Sequence, residues 1–421
     1  MYWTHALAWP YRGIVTETIT AGPWTGHLHG SVGYRRVLAA LACAGVATFA
    51  QLYSVQGLLP LMARDLQITA TQASLSVSAA TMGLAVTVLP WSFAADRFGR
   101  VRTMGAAILL ATVFGLLVPA APTFGVLVVL RTLEGAALGG IPALALAYLN
   151  EEISRKHAAA AAGAYVAGTT IGGLSGRLIA GPVADAFDWR IATLAVSVLA
   201  AGAAIGFLSL APQPHGFRPS AMPGGFGGVL ARLVPQLRSR SLLALYAQAF
   251  LLMGTFVTVY NYLGFRLEAS PYLLPATAVG LLFLAYLAGT VSSRAVATLA
   301  ARWGLRTVLL GSITLMVAGL AVTLASPLVL ILAGLLVFTA GFFGAHSIAS
   351  GWTGAMGVTG RAQAAALYNL SYYAGSSIVG WSAGFVFQAF GWAALAGVLA
   401  VLAGVSAAVA LALPRATATP R

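Results

Sequence analysis

The sequence predicts an all-α membrane protein with twelve transmembrane helices, arranged as two pseudo-symmetric six-helix bundles. Three observations lead to this prediction: an apolar composition, a regular series of long hydrophobic segments, and a similarity between the two halves of the chain. Of 421 residues, 59% are hydrophobic and 8% are charged, and the mean hydropathy is +0.89. A soluble protein carries about a quarter charged residues. This chain must therefore expose most of its surface to lipid.

Twelve hydrophobic segments approach or exceed the length of about 20 residues that an α-helix needs to cross a bilayer. They fall into two groups of six, separated by a stretch rich in Pro, Gly and Arg that predicts a linker. The predicted spans are Val37–Leu61, Thr71–Ala94, Thr103–Ala121, Thr123–Asn150, Ala158–Val183, Ile191–Leu210, Leu242–Leu263, Thr277–Ala300, Thr307–Ala325, Pro327–Ser350, Ala362–Phe387 and Trp392–Leu413.

These spans divide the chain into two bundles with short flanking regions. The N-terminal residues lack a basic start followed by an apolar stretch, so a signal peptide is not expected. Cys43 is the only cysteine, which excludes a disulfide framework and a CxxC metal site. We expect no cofactor and no metal. The predicted regions are a cytoplasmic tail (1–36), an N-terminal bundle (37–211), a cytoplasmic linker (212–241), a C-terminal bundle (242–413) and a cytoplasmic tail (414–421).

The distribution of basic residues predicts the orientation. The even-numbered connections and the two tails carry 17 of the 23 Lys and Arg residues, the odd-numbered connections carry three, and three lie within spans. Because cytoplasmic loops collect Lys and Arg, both termini should be cytoplasmic in a bacterial inner membrane. The 17 residues are Arg12, Arg35, Arg36, Arg97, Arg100, Arg102, Arg155, Lys156, Arg218, Arg232, Arg238, Arg240, Arg302, Arg306, Arg361, Arg415 and Arg421. These scattered charges form no basic stripe, so the net charge of +14 does not indicate nucleic-acid binding.

The two halves resemble each other when the fifth span is shifted by 203 residues onto the eleventh. Two homologous six-helix halves are typical of transporters that rock one half against the other. The residues that match are Tyr165 with Tyr368, Gly172 with Gly375, Gly181 with Gly384, Phe187 with Phe390, and Trp189 with Trp392.

Three segments of the first half form recognisable motifs. The connection after the second span contains Ala95-Asp96-Arg97-Phe98-Gly99-Arg100, which has a degenerate echo in Ala300-Ala301-Arg302-Trp303-Gly304-Leu305. The fourth span contains Arg131-Thr132-Leu133-Glu134-Gly135. The fifth span contains Gly168-Thr169-Thr170-Ile171-Gly172-Gly173.

These motifs, at these places, resemble the major facilitator superfamily and, within it, YnfM-type permeases of the drug–proton antiporter branch. The resemblance covers residues 35–413. It departs from the family pattern at three positions: Ser92 replaces a glycine, Glu134 replaces a glutamine, and Thr169 replaces the proline of the antiporters. The resemblance implies the major facilitator fold and efflux of a small molecule.

The resemblance also implies a gate at the cytoplasmic end of the second span. The residues of this motif are Asp96, Arg97, Gly99 and Arg100. When the transporter is closed to the cytoplasm, Asp96 would pair with arginines or helix ends of the other half. A solvated loop carboxylate is the alternative.

Ionisable residues within spans are costly and normally face a cavity or a partner. Arg131 and Glu134 lie three residues apart on one helix face, and Arg177 of the fifth span is predicted at a similar depth. We interpret this group as a site for coupling or substrate binding, with Glu134 as proton carrier because neither arginine can change its charge. The alternative is a structural ion pair that ties the fourth and fifth spans together. Arg294 and His346 are expected to be structural.

Polar side chains on three further spans are candidates for orienting a substrate in the cavity. Each could instead form a helix–helix hydrogen bond. Tyr260 and Tyr262 are expected to belong to an interfacial aromatic belt. The candidates are Gln51, Gln56, Gln248, Asn261, Asn369 and Tyr372.

Four functions were compared. A proton-coupled exporter of a small amphipathic or sugar-like molecule, working as a monomer in lipid, fits the motifs and the duplicated halves. A nutrient facilitator or symporter is favoured by the missing proline. A membrane enzyme needs clustered acids, and the nearest pairs are Asp185 with Asp188 and Glu151 with Glu152, all at span ends. A receptor or scaffold would need neither buried arginines nor duplicated halves.

The charge asymmetry makes a testable prediction about orientation. Reporter fusions at Pro212 and after Leu413 should both report a cytoplasmic location, because 17 of the 20 basic residues outside the spans lie on that side. Periplasmic signals from both fusions would overturn the assignment.

Overall fold

The computed structural model describes residues 24–217, 225–357 and 360–414. In these ranges the chain forms helices, turns and loops, with a single isolated β-bridge between His27 and Ile153. The helices are α1 (Val32–Leu52), α2 (Leu59–Asp65), α3 (Ala70–Phe98), α4 (Arg100–Leu117), α5 (Phe124–Leu138), α6 (Pro142–Glu152), α7 (Arg155–Ala186), α8 (Trp189–Leu210), α9 (Gly225–Arg238), α10 (Arg240–Glu268), α11 (Ala276–Leu281), α12 (Tyr286–Trp303), α13 (Leu305–Val322), α14 (Leu328–Met356) and α15 (Arg361–Leu411).

The helices account for twelve membrane crossings. Within the described ranges, ten helical segments are long and apolar enough to span a bilayer. One of them, Gln363–Leu411, contains the eleventh and twelfth predicted spans, which meet where Gly391 adopts φ 74°. The predicted fifth span is α7, which is 32 residues long but richer in Gly, Ala and basic residues. The ten segments contain eleven spans, because Gln363–Leu411 contains two, and α7 adds the twelfth predicted span.

Several spans are broken within the membrane. The first span stops at Leu52, turns, and continues through a 3-10 turn at Gln56–Leu58 into α2. The fourth span breaks between α5 and α6, where Gly139 and Gly140 lie against the second span. A Cβ on Gly140 would lie 2.7 Å from the Trp91 ring, so only glycine fits there. Broken helices expose backbone carbonyls that need partners inside the bilayer.

Two hydrophobic cores correspond to the two predicted bundles. One runs from Tyr34 to Phe207 and the other from Leu242 to Leu413, with Ala276 of the second half packed into the first core. The linker between them contains α9. The domain boundaries at residues 36, 211, 241 and 413 stay predictions, although α1 already begins at Val32. Residues 1–23 of the predicted N-terminal tail and 415–421 of the C-terminal tail lie outside the described residues.

The pseudo-symmetry is visible in backbone geometry. Gly99 and Gly304, at matching places in the two halves, have φ/ψ of 94°/151° and 82°/151°. A Cβ on Gly172 would lie 2.5 Å from Cα of Val46, and one on Gly375 would lie 2.1 Å from the Phe250 carbonyl. Matching glycines thus allow the fifth and eleventh spans to contact the first and seventh backbone to backbone.

The two halves touch mainly at one end of the molecule. We call the end that carries residues 212–241 the linker face, and the opposite end, where α2 ends and α3 begins, the far face. Helix α7 packs on α11, and α3 packs on α15, so each half contributes one helix to each contact. The deepest hydrogen bond between the halves joins Thr81 to Ser377, near the middle of α3. From there to the linker face, about 25 Å of α3 makes no hydrogen bond to the other half within the described ranges.

Candidate functional site

Arg131 and Glu134 form a fully buried ion pair within the first half. The guanidinium Nη1 donates to Glu134 Oε2 at 2.6 Å, and Arg131 is 0% exposed. It also donates to the carbonyls of Gln51, Leu52 and Ser76 at 3.0, 2.6 and 3.2 Å. Because α1 ends at Leu52, its last carbonyls lack α-helical partners. The Gln51 carbonyl accepts from Ser54 N–H at 3.1 Å as well as from Arg131, and Arg131 supplies a donor to the Leu52 carbonyl.

This geometry corrects the structural alternative drawn from the sequence. The pair does not tie the fourth span to the fifth; it ties the fourth to the first and second. Arg131 and Arg177 also do not share Glu134: Arg177 donates to Gln56 and to the Gly173 carbonyl instead. The positions of the two arginines along their spans predict a similar depth in the membrane, but the rotation of each helix gives them different neighbours.

Glu134 has a second oxygen that faces another acceptor. A Cβ on Gly115 would lie 2.3 Å from Gln51 Oε1 and 3.0 Å from Glu134 Oε1, so both oxygens border the space above this glycine. Gln51 Nε2 donates to the Ala47 carbonyl, while its Oε1 is buried without a donor in the described structure.

Arg177 lies between the halves in a cage of aromatic rings. The guanidinium carbon is 4.6, 4.4 and 5.2 Å from the ring centroids of Tyr53, Phe283 and Tyr286. Cation–π contacts of this kind are worth about 2 kcal/mol when desolvated. Nε and Nη2 donate to Gln56 Oε1 at 3.2 and 2.6 Å. Two predicted site residues, Arg177 and Gln56, are therefore in direct contact.

Gln56 continues this network into the second half. Its Nε2 donates to Asn261 Oδ1 at 2.8 Å, which leaves Asn261 Nδ2 buried and without an acceptor among the described residues. The predicted group of Gln56, Asn261 and Arg177 is thus one hydrogen-bonded chain, and it crosses from the first half to the second.

Aromatic and polar side chains continue from this network towards the linker face. Tyr286 packs on Phe343, and His346 packs on Tyr372 with ring centroids 5.0 Å apart. His346 Nδ1 hydrogen-bonds the Tyr368 hydroxyl at 3.0 Å. The predicted residue Tyr372 is partly exposed here, and Asn369 is exposed one turn closer to the linker face.

Two other expectations are wrong, and a third residue makes the helix–helix hydrogen bond that was its alternative. Gln248 is fully buried and hydrogen-bonds Ser406, so it joins the seventh and twelfth spans away from this network. Tyr260 and Tyr262 are not interfacial: each is at most 4% exposed. The Tyr260 hydroxyl bonds Thr339, and that of Tyr262 lies 2.6 Å from Ser74 Oγ in the other half. Sequence could not separate these roles, because a tyrosine near a span end suits either.

Polar contacts close the far face. Arg64 Nη2 donates to Glu268 Oε2 at 2.8 Å across the halves. The carboxylate of Asp185, at the end of α7, accepts from the backbone N–H groups of Ala276 and Thr277 at 2.9 and 2.8 Å. This places a negative charge on the N-terminus of α11, which favours anions.

This contact was not predicted from the sequence, although the sequence carries a signal for it. Shifting Asp185 by the repeat length of 203 leads to Gln388, which hydrogen-bonds Thr71 at the start of α3. The two contacts are therefore pseudo-symmetric partners. Polar residues at matching ends of repeated spans would have indicated both.

On the linker face, the gate motif forms a cluster within the first half. Arg100 donates to Asp96 Oδ1 at 2.6 Å and to Glu151 Oε1 at 3.1 Å. Gly99 separates α3 from α4 with φ 94°, a conformation that other residues rarely adopt. Arg97 lies against the neighbouring Phe98 ring. No partner from the second half reaches Asp96 among the residues described.

Comparison with known proteins places this architecture. The model of the Major Facilitator Superfamily matches residues 41–298. The inner membrane transport protein YnfM of Escherichia coli is 40% identical over 373 residues, covering 89% of each chain. The uncharacterized transporter YybF of Bacillus subtilis is 36% identical, covering 88% of this chain and 91% of its own. The chain belongs to the major facilitator superfamily.

Solved members of this superfamily share the fold. The nucleoside transporter NupG superposes with a TM-score of 0.75 at 14% identity, covering 89% of this chain and 99% of its own. A bacterial homolog of the lysosomal transporter Spinster, in an inward-facing conformation, gives 0.71 at 15% identity, with 91% and 95% covered. The family match and the YnfM relative, not these structures, make this superfamily member a multi-pass membrane transporter, as the sequence predicted.

The gate cluster makes a testable prediction. We expect Asp96→Asn to slow exchange between conformations more than it weakens ligand binding, because Arg100 loses one of its two carboxylates at the membrane surface while the central network is untouched. Exchange is measured by single-molecule fluorescence between dyes on the linker-face ends of the two halves. Binding is measured with the best stabilising compound of a thermal-shift screen.

Asp188→Asn is the matched control, because Asp188 caps α8 on the far face and does not contact the cluster. It should leave the exchange rate close to wild type. Lost binding with unchanged exchange in Asp96→Asn would show that the motif is not a gate.

Proposed function

We propose that this protein is a secondary transporter of the bacterial inner membrane that moves a small molecule by alternating access. One observation carries the proposal: every side-chain hydrogen bond between the halves lies on the far-face side or near the middle, within the described ranges. With the linker face cytoplasmic, as the basic residues favour, the halves would separate on the cytoplasmic side. Breaking the far-face contacts and closing the gate cluster across the halves would give the opposite state.

The proposed direction is proton-coupled efflux, with Glu134 as the group that gains and loses the proton. Three features support Glu134. It is a buried carboxyl that borders the unsatisfied Gln51 Oε1. Its partner Arg131 is charged in both protonation states. Finally, Arg131 holds the break of the first span, so a change of charge at Glu134 alters the forces on that break.

The alternatives to this proposal differ either in how transport is coupled to an ion gradient or in the class of protein. A nutrient facilitator or symporter would use the same cavity, and Thr169 in place of proline favours it. The enzyme alternative would rest on two acidic pairs. In the first pair Asp185 caps α11 and Asp188 caps α8. In the second pair Glu151 accepts from Arg100, and Glu152 accepts from the backbone N–H groups of His215 and Gly216. Both halves of the cavity come from one chain, so we propose that a monomer surrounded by lipid is sufficient.

Proton coupling predicts a specific phenotype for Glu134→Gln. Glutamine keeps the size of Glu134 and can still accept from Arg131, so the variant should fold. It cannot exchange a proton, so pH-driven accumulation in reconstituted vesicles should fall to the level set by the substrate gradient, while substrate exchange persists. Wild-type accumulation by this variant would leave Glu134 a structural partner of Arg131.

Two further variants separate coupling from stability. Asp188→Asn, a carboxyl control that caps α8 outside both the ion pair and the gate cluster, should retain a pH-dependent steady state. Arg131→Ala should reduce thermal stability strongly, because stranding a buried charge costs about 3–5 kcal/mol.

A further inference from the structure

The Arg177 guanidinium is a buried cation without a counter-ion. It is 3% exposed, and no carboxylate in the described ranges lies within 4.0 Å of it. A guanidinium has five N–H donors. Three of them make the bonds to Gln56 and Gly173, which leaves two without a protein acceptor. Arg131 differs, because Glu134 neutralises it.

The surroundings of Arg177 add donors and apolar surface but no negative charge. The Gln56 side chain links Arg177 to Asn261, and the Asn261 Nδ2 group also lacks an acceptor in the described ranges. Three aromatic rings exclude water from the guanidinium without neutralising it. A buried charge is strongly unfavourable unless it is paired, so an anion should visit this position during the transport cycle.

We propose that the cargo is a monoanion in which a carboxylate binds Arg177 and an apolar or aromatic body lies against the tyrosines. This proposal rests on the transport function proposed above. A planar carboxylate matches the geometry of a guanidinium, because its two oxygens can each accept a hydrogen bond from a guanidinium N–H group. Arg177 is the single formal charge in this network, which balances one negative charge and not the two of a phosphate monoester.

The test uses the full-length chain in nanodiscs and five small probes: benzoate, cyclohexanecarboxylate, benzamide, benzylamine and phenyl phosphate. The two carboxylates should raise Tm of the wild type with saturable dependence, and the amide, the amine and the phosphate monoester should not. Arg177→Gln should weaken carboxylate affinity at least about tenfold, and Arg177→Lys, which keeps the charge without the fork, should fall between. Arg294→Gln is the matched control, because Arg294 is an exposed arginine within α12.

Each outcome decides. If carboxylates do not raise Tm of the wild type, or if Arg177→Gln binds them unchanged, the proposal is overturned. If Arg177→Gln does not fold, Gln56→Leu is the second test variant. It should weaken carboxylate affinity, because the Arg177 guanidinium is then no longer held in its orientation by the Gln56 side chain. Alternating access is tested separately, by measuring exchange between conformations of the wild type. If the wild type shows no exchange, alternating access is overturned, while the probe-binding result still decides the carboxylate proposal.

A second, independent observation concerns the linker face. Ligand atoms of His27, Glu152 and His215 all lie within 4.8 Å of one another. Glu152 is fully buried: Oε1 accepts from the backbone N–H groups of His215 and Gly216, while Oε2 has no hydrogen bond and lies 3.6 Å from His215 Nδ1. His27 Nε2 is likewise buried without a partner in the described ranges.

Glycines shape this cluster. A Cβ on Gly33 would lie 2.1 Å from the His27 ring, and one on Gly26, with φ +87°, would lie 2.4 Å from Ser154 N. The His27 backbone is fixed by bonds to the Glu152 carbonyl and from Ser154 N–H. Two imidazoles and a carboxylate are zinc ligands, and tetrahedral bonds of about 2.0–2.2 Å place ligand atoms roughly 3.3–3.5 Å apart. The cluster would need to contract by little more than 1 Å.

The geometry points to a zinc-type divalent cation that fastens residues 24–31 and the start of the linker to the end of α6. Tag-free full-length protein, dialysed against Zn²⁺ and then buffer, should retain about one equivalent by elemental analysis, and Co²⁺ should give tetrahedral visible absorption. His27→Ala and His215→Ala should each lose the metal, while His29→Ala and His157→Ala should retain it. No retained metal in the wild type, or equal retention in all variants, would overturn the site. Glu152→Gln, which removes the one anionic ligand, should reduce metal retention as well.

Discussion

The break in the first span is the feature on which the first half depends, and Arg131 makes it possible. Inside a bilayer no water can satisfy the carbonyls left free where α1 stops at Leu52. From a single guanidinium Arg131 donates to the Leu52 carbonyl, to the Gln51 carbonyl, which also accepts from Ser54 N–H, and to the Ser76 carbonyl on the second span. Glu134 then removes the net charge. One side chain thus joins three spans, and the break turns Gln56 towards the other half, where it contacts Asn261.

Small residues let the halves assemble around this break. Gly172 and Gly176 of α7 approach the α1 backbone closely enough that a Cβ would lie 2.5 and 2.8 Å from its atoms. Gly181 then approaches Ala276 of the other half in the same way. The helix that carries Arg177 therefore packs on both halves, so movement between the halves changes its environment.

Sequence alone predicted the twelve spans and two bundles, because hydropathy and repeat spacing depend on chain order only. It also selected Arg131, Glu134, Arg177, Gln56 and Asn261, because polar groups in a span are rare. It could not assign their partners, since those depend on helix rotation and on the break after Leu52. Gln248 and Tyr260 show the limit: each is polar and membrane-embedded, and only the packed structure shows that its hydrogen bond is a helix–helix contact.

Arg131 and Arg177 are the same residue type at similar depth, yet their neighbours give them different physical roles. The charged form of Glu134 neutralises Arg131 from within the same helix, so this ion pair persists in any conformation that keeps the first half intact. Arg177 is oriented by Gln56, and Gln56 is itself held by Asn261 across the halves. Opening the far face breaks the Gln56–Asn261 bond and frees the amide that fixes the guanidinium. Any ligand that binds the oriented guanidinium must therefore stabilise the closed far face by the same free energy that the closed face adds to its binding.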